Sequence, residues 1–393
     1  MNTRTVYITH AKRTAVGSFL GGLSTIAAPH LGAAIISSIL KDSKVDPALI
    51  NEVILGQVIT GGSGQNPARQ SLIHAGIPKE VTAFTVNKVC GSGLKTVALA
   101  AESIAAGNNE IVIAGGQENM SLGLHGAYVR AGLKFGDGKM VDLMQYDGLT
   151  DVFSGSFMGI TAENVAKQFN ITREMQDEFS LKSHQKAATA QLEGHFKNEI
   201  LPIEVVAKKN TIIFEHDETV RPNTTLEILS KLRPAFDKNG TVTAGNASSI
   251  NDGAACLMIV SEEALKKHNL TPLVRIVSYA SAGVDPNIMG TAPVPASRKA
   301  LARAGWSVED LDVIEANEAF AAQSVYVNQE MKWDLNKVNM NGGAVAIGHP
   351  IGASGARVLV TLIHQMKRIN AKKGLATLCI GGGMGMAMCV EAV

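Results

Sequence analysis

Two segments of the chain carry the same order of apolar and polar positions. Residues 37–59, SSILKDSKVDPALINEVILGQVI, read as an amphipathic helix, a polar break, a short helix and an apolar strand. Residues 298–320, RKALARAGWSVEDLDVIEANEAF, repeat the helix, the polar break and the strand, with an acidic turn before a leucine. The pattern therefore predicts the same helix-and-strand unit in each half of the chain.

A second repeated pattern follows each of these segments. Residues 89–116 and residues 349–383 each combine a glycine-flanked turn, a helix and an apolar strand that ends in glycines. The strands IVIA and TLCI are continuously apolar, which is typical of strands covered on both faces. The sequence thus predicts an α/β fold made of two similar halves, each with a mixed or parallel sheet between helices.

Residues 119–250 interrupt this repetition with glycine-rich, charged and loop-like stretches, which indicates an inserted domain. Two helices are expected inside it, TAENVAKQF and TREMQDEFSLKSHQKAATAQLEG, with Thr161 and Thr172 as their N-caps. We expect three parts: an N-terminal half over residues 1–120 with 251–271, a loop domain over residues 121–250, and a C-terminal half over residues 272–393.

Composition and charge exclude several classes of partner. The chain has 393 residues, 46% of them hydrophobic, and its net charge of +1 gives no global field for nucleic acid or an anionic membrane. It contains no apolar run of about 18 residues or more, and its N-terminal segment lacks the apolar stretch of a signal peptide. The cysteines show neither CxxC pairing nor zinc spacing, which predicts reduced thiols, no metal site and a cytoplasmic location; they are Cys90, Cys256, Cys379 and Cys389.

Cys90 lies between the extended segment VTAFTVNKV and an amphipathic helix, so its thiol is expected near a helix N-terminus. Backbone N–H groups and the helix dipole at such a position favour a thiolate. The small residues GSG that follow let a substrate approach the backbone closely. Most free cysteines are inert core residues, but this setting favours a covalent nucleophile.

His349 precedes Pro350, which starts a second amphipathic helix, so its imidazole is fixed at a strand-to-helix turn. This turn corresponds to the Cys90 region in the repeated unit, and a base there could meet the nucleophile across the two halves. Cys379 ends the strand ATLCI before a glycine run whose N–H groups suit an oxyanion site, although periodicity alone favours a buried strand residue. Asn317 and Glu318 follow the strand DVIEA, where they could face a cleft or simply form a turn.

The segments NKVCGSGLK, NEAFA, GHPIGASGAR and CIGGGMG, in this order, together resemble the thiolase family. Further matching stretches, such as GGQENMS and TAGNASSINDGAA, extend the resemblance over nearly the whole chain. The chain is most similar to the biosynthetic members that join two acetyl-CoA molecules. The resemblance implies a five-layer αβαβα fold, a loop domain that covers coenzyme A, and, in relatives with this loop, a homotetramer.

The resemblance also implies roles for individual residues. Cys90 would give its proton to His349 and carry the acetyl group, and Cys379 would remove a proton from the methyl carbon of the second acetyl-CoA. His349 and a water on Asn317 would hold the enolate, and the N–H groups of Cys90 and Gly381 would hold the tetrahedral oxyanion. The products would be acetoacetyl-CoA and CoA, and no metal or redox cofactor is required.

Coenzyme A positions carry over in the same way: Leu149, Phe157, Met158, Arg221, Phe236, Ala244, Ser248, Met289, Ala319 and Phe320. Two positions depart from the family pattern, because Phe157 stands where many biosynthetic relatives have histidine and Ile228 replaces a small polar residue. The first leaves acyl-chain preference open and the second bears on adenine binding.

Four other functions share part of this pattern. A degradative 3-ketoacyl-CoA thiolase acting on longer or branched chains uses the same residues and is the main alternative. A β-ketoacyl synthase has no use for a basic second cysteine. A non-catalytic acyl-CoA-binding protein would have lost a reactive group, whereas a cysteine hydrolase would release acetate.

Overall fold

The computed structural model describes residues 4–206 and 210–393. Its strands are β1 (Val6–Thr14), β2 (Gly17–Ser18), β3 (Glu52–Gly56), β4 (Thr82–Val86), β5 (Ile111–Asn119), β6 (His125–Gly126), β7 (Val141–Asp142), β8 (Ile200–Leu201), β9 (Ile203–Val206), β10 (Thr211–Phe214), β11 (Asn251–Ser261), β12 (Val274–Gly283), β13 (Val313–Ala316), β14 (Lys373–Ile380) and β15 (Met384–Ala392). Its α-helices are α1 (Ala28–Ser43), α2 (Pro67–His74), α3 (Ser92–Ala105), α4 (Met158–Gln168), α5 (Arg173–Leu192), α6 (Leu226–Ser230), α7 (Glu262–Lys267), α8 (Pro293–Ala304), α9 (Ala321–Met331), α10 (Ala344–Ile347) and α11 (Ile351–Arg368).

The main sheet repeats one pairing scheme in both halves, in the order β13-β14-β15-β12-β1-β11-β5-β3-β4. In the N-terminal half, β1 and β5 flank β11 in antiparallel pairs, and β3 lies parallel to β5. In the C-terminal half, β12 and β14 flank β15 in antiparallel pairs, and β13 lies parallel to β14. The predicted repetition and the mixed α/β fold are confirmed.

Helices α3 and α11, one from each half, pack against each other at positions where only glycine fits. A Cβ on Gly93 would lie 2.7 Å from the backbone nitrogen of Ala356, and one on Gly355 would lie 2.4 Å from that of Leu94. Backbone therefore meets backbone at this crossing, which no larger side chain would permit. Because Cys90 lies just before α3 and His349 just before α11, the crossing brings the two turns together.

The inserted segment is attached to the N-terminal half by a buried ion cluster. The Arg13 guanidinium of β1 donates to Glu199 at 2.6 Å and to both Asp217 oxygens at 2.7 and 2.9 Å. All three side chains are nearly inaccessible to solvent. Each buried charge thus has a partner of opposite sign, which is the condition under which such groups are tolerated inside a protein.

One of the two predicted N-caps is confirmed. Thr172 caps α5, because its side chain accepts from the N–H of Met175. The prediction for Thr161 is wrong: α4 already begins at Met158, and the Thr161 hydroxyl donates to the Met158 carbonyl at 2.6 Å. A threonine hydroxyl inside the first turn can donate to a carbonyl three residues back, just as a threonine at the N-cap can accept from a backbone N–H. Within the described part of the chain, no helix is both long and apolar enough to cross a membrane.

Candidate active site

Cys90 is presented by a tight turn between β4 and α3. Val89, just before it, has φ of +47°, a left-handed conformation that is rare for a β-branched residue. The Ser92 hydroxyl holds the turn, because it accepts from the N–H of Lys88 at 2.8 Å and donates to the carbonyl of Val89 at 2.7 Å. Strain of about 1–3 kcal/mol at such a residue is typical of functional sites.

Burial outweighs the helix terminus in setting the protonation state of Cys90. It raises the pKa of the thiol to about 11, although the N–H groups of Gly381 and of Cys90 itself face the sulfur and lower it, and the Glu118 charge raises it further. The N–H groups at the helix start thus favour the thiolate, as the sequence predicts, but the effect of burial is larger. The thiol is protonated at neutral pH, so a base must take its proton.

We expect the rate of Cys90 alkylation by iodoacetamide, without substrate, to rise about tenfold per pH unit between roughly pH 7 and 9, because only the thiolate reacts. Peptide mass spectrometry of the Cys90 peptide measures this rate. Free glutathione, alkylated in parallel, controls for the pH dependence of the reagent. A plateau near neutral pH would mean that the thiolate already dominates there.

His349 is buried and bonded at both ring nitrogens. Its Nδ1 lies 2.6 Å from the Ser354 hydroxyl, its Nε2 lies 3.4 Å from the amide nitrogen of Asn317, and its backbone N–H donates to Asn251. Burial, and then the charge of Arg357, lowers the pKa of His349 to about 3. The imidazole is thus neutral near pH 7, as a base for a thiol requires.

Asn317 follows β13, and its N–H donates to the Thr377 carbonyl of β14 at 2.9 Å, two residues before Cys379. Its side-chain amide nitrogen is the group near His349. Within residues 4–206 and 210–393, nothing donates to its buried Oδ1. A buried amide oxygen of this kind is able to accept from a substrate or a water molecule.

Cys379 is fully buried near the end of β14, within electrostatic reach of Cys90. Burial and then the neighbouring Cys90 raise the pKa of the Cys379 thiol. After it, Gly382 and Gly383 have φ of +82° and +78°, and a Cβ on Gly383 would meet the Val284 carbonyl oxygen at 2.4 Å. The turn that aims the Gly381 N–H at Cys90 therefore depends on glycine.

An apolar wall lies beside the two cysteines. Four of the predicted coenzyme positions pack in one cluster with Cys379: Met158, Met289, Ala319 and Phe320. Leu149 packs in a second cluster with Cys90. Phe236 bridges two further rings, with its centroid 6.5 Å from Phe157 and 6.4 Å from Phe320.

The remaining predicted coenzyme positions lie further out. Ser248 donates from its N–H and its hydroxyl to the Ala319 carbonyl, which ties it to the wall. Ala244 and Arg221 are exposed, and the Arg221 N–H donates to Nδ1 of the buried His184 at 3.2 Å. Ile228 lies exposed on α6.

Sequence reasoning missed Glu118, although it lies within the motif GGQENMS. This buried carboxylate accepts from the N–H groups of Val58, Ile59 and Gly352 at 2.8–3.1 Å. A Cβ on Gly352 would lie 2.5 Å from one of its oxygens. Glu118 therefore fixes the first turn of α11 to the ends of β3 and β5, within electrostatic reach of Cys90. Burial raises its pKa to about 7.

Comparison with known proteins agrees with this architecture. Models of the thiolase N-terminal domain and the thiolase C-terminal domain match residues 6–263 and 270–392. An acetyl-CoA acetyltransferase of Rhizobium meliloti is 56% identical, with both chains covered completely. The crystal structure of the Bacillus anthracis acetyl-CoA acetyltransferase superposes with a TM-score of 0.97 at 44% identity, covering 100% of this chain and 99% of the other.

The human mitochondrial 3-ketoacyl-CoA thiolase in complex with CoA superposes with a TM-score of 0.95 at 42% identity, covering 99% of this chain and 98% of the other. Fold and site together define an α/β protein of two similar halves, in which the free cysteines Cys90 and Cys379 lie near each other. The chain belongs to the thiolase family, and its fold is the thiolase fold.

Proposed function

We propose that this protein is an acetyl-CoA C-acetyltransferase, which reversibly condenses two acetyl-CoA molecules to acetoacetyl-CoA and CoA through an acetyl-cysteine. The proximity of Cys379 to Cys90 carries the proposal, because a hydrolase or a decarboxylating synthase needs only one thiol. The curated relatives support this reaction over the degradative alternative, since those at 56–58% identity are named acetyl-CoA acetyltransferases.

The first half-reaction loads Cys90. The neutral His349 takes the thiol proton, the thiolate attacks the thioester carbonyl, and the N–H groups of Cys90 and Gly381 stabilise the oxyanion. CoA leaves with the proton returned by His349. The acetyl group remains on Cys90, where its carbonyl is held for the second substrate.

The second half-reaction forms the carbon–carbon bond. Cys379 passes its own proton to His349 and then removes a proton from the methyl group of the second acetyl-CoA. His349 and a water on Asn317 hold the enolate oxygen, and the unpartnered Oδ1 of Asn317 within the described residues supports this role. The enolate attacks the acetyl group, acetoacetyl-CoA departs, and His349 returns a proton to Cys90. No step requires a metal or a redox cofactor.

The coenzyme would lie along the apolar wall, with its acyl end at the cysteines. Met158, Met289 and Phe320 would enclose the acetyl group, and Phe157 with Phe236 would flank the pantetheine, since both rings are partly exposed at 44% and 37%. Arg221 would face the adenine end. The segment 121–250 supplies most of these positions, which supports its proposed role as the cover of coenzyme A.

Intact-mass analysis with acetyl-CoA alone tests the function directly. We expect one added acetyl group, mapped to Cys90, followed by acetoacetyl-CoA in solution. Thiolysis should be faster with acetoacetyl-CoA than with longer 3-ketoacyl-CoA substrates. A preference for the longer chains would favour the degradative reaction, and free acetate without acetoacetyl-CoA would indicate a hydrolase.

We also propose a cytoplasmic homotetramer. The segment that includes β6 and β7 exposes large apolar side chains, with Tyr128 and Phe135 at 90% and 102% of full exposure. Leu133 and Met140 of the same segment are exposed at 56% and 67%. Apolar surface of this density usually marks a contact between chains.

We expect Phe135→Asp to shift the protein from tetramer to a smaller species in light scattering, because it buries a charge in that contact. Acetylation of Cys90 should persist. Leu192→Asp, at the exposed end of α5, is the matched control and should leave the tetramer intact. An unchanged tetramer in Phe135→Asp would place the contact elsewhere.

A further inference from the structure

One hydroxyl touches the imidazole at the active site. Ser354, in the first turn of α11, has no exposed surface, and its Oγ lies 2.6 Å from Nδ1 of His349. The same Oγ lies 2.8 Å from the Pro350 carbonyl oxygen, four residues earlier in the chain. The hydroxyl thus connects the ring to the backbone turn that carries it.

The proton count at this hydroxyl defines its direction. A serine hydroxyl has one proton, and the carbonyl of Pro350 is able only to accept. The hydroxyl donates to the Pro350 carbonyl, as a serine inside a helix commonly does to the carbonyl four residues back. Its one proton is then used, so it must accept from Nδ1–H. The ring then carries its single proton on Nδ1.

The contact on the opposite side of the ring agrees with this arrangement. The amide nitrogen of Asn317, which lies 3.4 Å from Nε2, is a donor and therefore faces a lone pair. A neutral imidazole with its proton on Nδ1 has that lone pair on Nε2. The two contacts, made by residues on different elements, thus agree on one tautomer.

We propose that Ser354 is a positioning residue that holds His349 with its proton on Nδ1, so that the lone pair of Nε2 is available to take the Cys90 proton. The proposal rests on the function given above. When the ring accepts that proton, the Nδ1–H···Oγ bond becomes charge-assisted and strengthens. Ser354 would therefore stabilise the imidazolium in the step that creates the thiolate, and it would act through His349 rather than on the substrate.

Ser354→Ala tests this role, with Ser354→Thr as the variant that keeps the hydroxyl. We expect alanine to slow single-turnover acetylation of Cys90 by roughly 10- to 100-fold, the loss of one hydrogen bond to a charged group. The KM for acetyl-CoA should stay within about twofold, because substrate binding does not use the hydroxyl. Threonine should restore most of the rate.

Ser297→Ala is the matched control, since Ser297 is an equally buried serine on α8 whose hydroxyl has no partner in the described residues. It should leave the acetylation rate unchanged. A loss as large as that in Ser354→Ala would show that removal of any buried hydroxyl slows the enzyme and would overturn the proposal.

Nitrogen NMR of histidine-labelled protein gives a readout that does not depend on activity. The His349 signals, assigned with His349→Asn, should report a protonated Nδ1 in the native protein and a loss of this preference in Ser354→Ala. A protonated Nε2 in the native protein, or the same tautomer in both proteins with acetylation rates within twofold, would overturn the proposal. Failure of the native protein to acetylate Cys90 would instead count against the proposed function.

Discussion

Replacement of Cys379 by serine should abolish condensation while Cys90 is still acetylated. An alcohol is a far weaker acid than a thiol, so a serine hydroxyl at this position would not form the anion that removes a proton from the methyl carbon. Loss of a positioned general base costs about 10²- to 10⁴-fold in rate. Loading of Cys90 should persist, because the attack on the first thioester uses His349 and the N–H groups of Cys90 and Gly381.

Two measurements separate these steps. Intact mass after addition of acetyl-CoA reports the acetyl-enzyme, and incorporation of deuterium from heavy water into the acetyl methyl group reports proton removal. Cys389→Ser is the matched control, since Cys389 is also fully buried, lies on the adjacent strand β15 and packs in a different apolar cluster. Loss of acetylation in Cys379→Ser would mean that the two cysteines do not have separate roles.

Replacement of Arg13 by methionine should destabilise the protein by about 3–5 kcal/mol, the typical cost of removing one partner from a buried ion pair. Glu199 and Asp217 would remain buried without the guanidinium that bonds to both of them. Arg13 lies on β1, whereas both carboxylates lie within residues 121–250. We therefore expect the inserted segment to unfold at a lower urea concentration than the rest of the chain. Urea unfolding at fixed protein concentration measures the change.

Arg275→Met provides the comparison for this prediction. Arg275 pairs with Glu391 at 2.6 Å, but both side chains are partly exposed. Its loss should cost less than about 1 kcal/mol, as is usual for surface pairs. Equal effects of the two substitutions would show that the Arg13 cluster stabilises the fold no more than a surface pair does.

Local pattern was sufficient to predict much of the fold. Continuous apolar strands followed by glycines, and helices with one apolar face, predicted both halves, and the strand pairings repeat accordingly. The helix start at Met158 was missed because a threonine hydroxyl serves equally well as a cap or as an internal donor. The chain's own periodicity favoured a buried strand residue at Cys379 and gave no sign that this residue also lies near Cys90.

The protonation state of the site could not be predicted from sequence. The helix start at Cys90 was visible, but the burial that raises the pKa of its thiol to about 11 comes from elements far away in the chain. Ser354 and Glu118 were missed for a related reason. Their motifs were recognised as patterns, whereas their partners, His349 and the N–H groups of three separate residues, become evident only in the folded protein.

The crossing of α3 and α11 has a consequence for how precisely the reacting groups are spaced. Where two helices meet through bulky side chains, the gap between them widens or narrows as those chains change rotamer. At Gly93 and Gly355 main-chain atoms form the contact themselves, so the separation is set by atomic radii. Thermal repacking of the surrounding core would then leave the alignment of sulfur and imidazole almost unaltered.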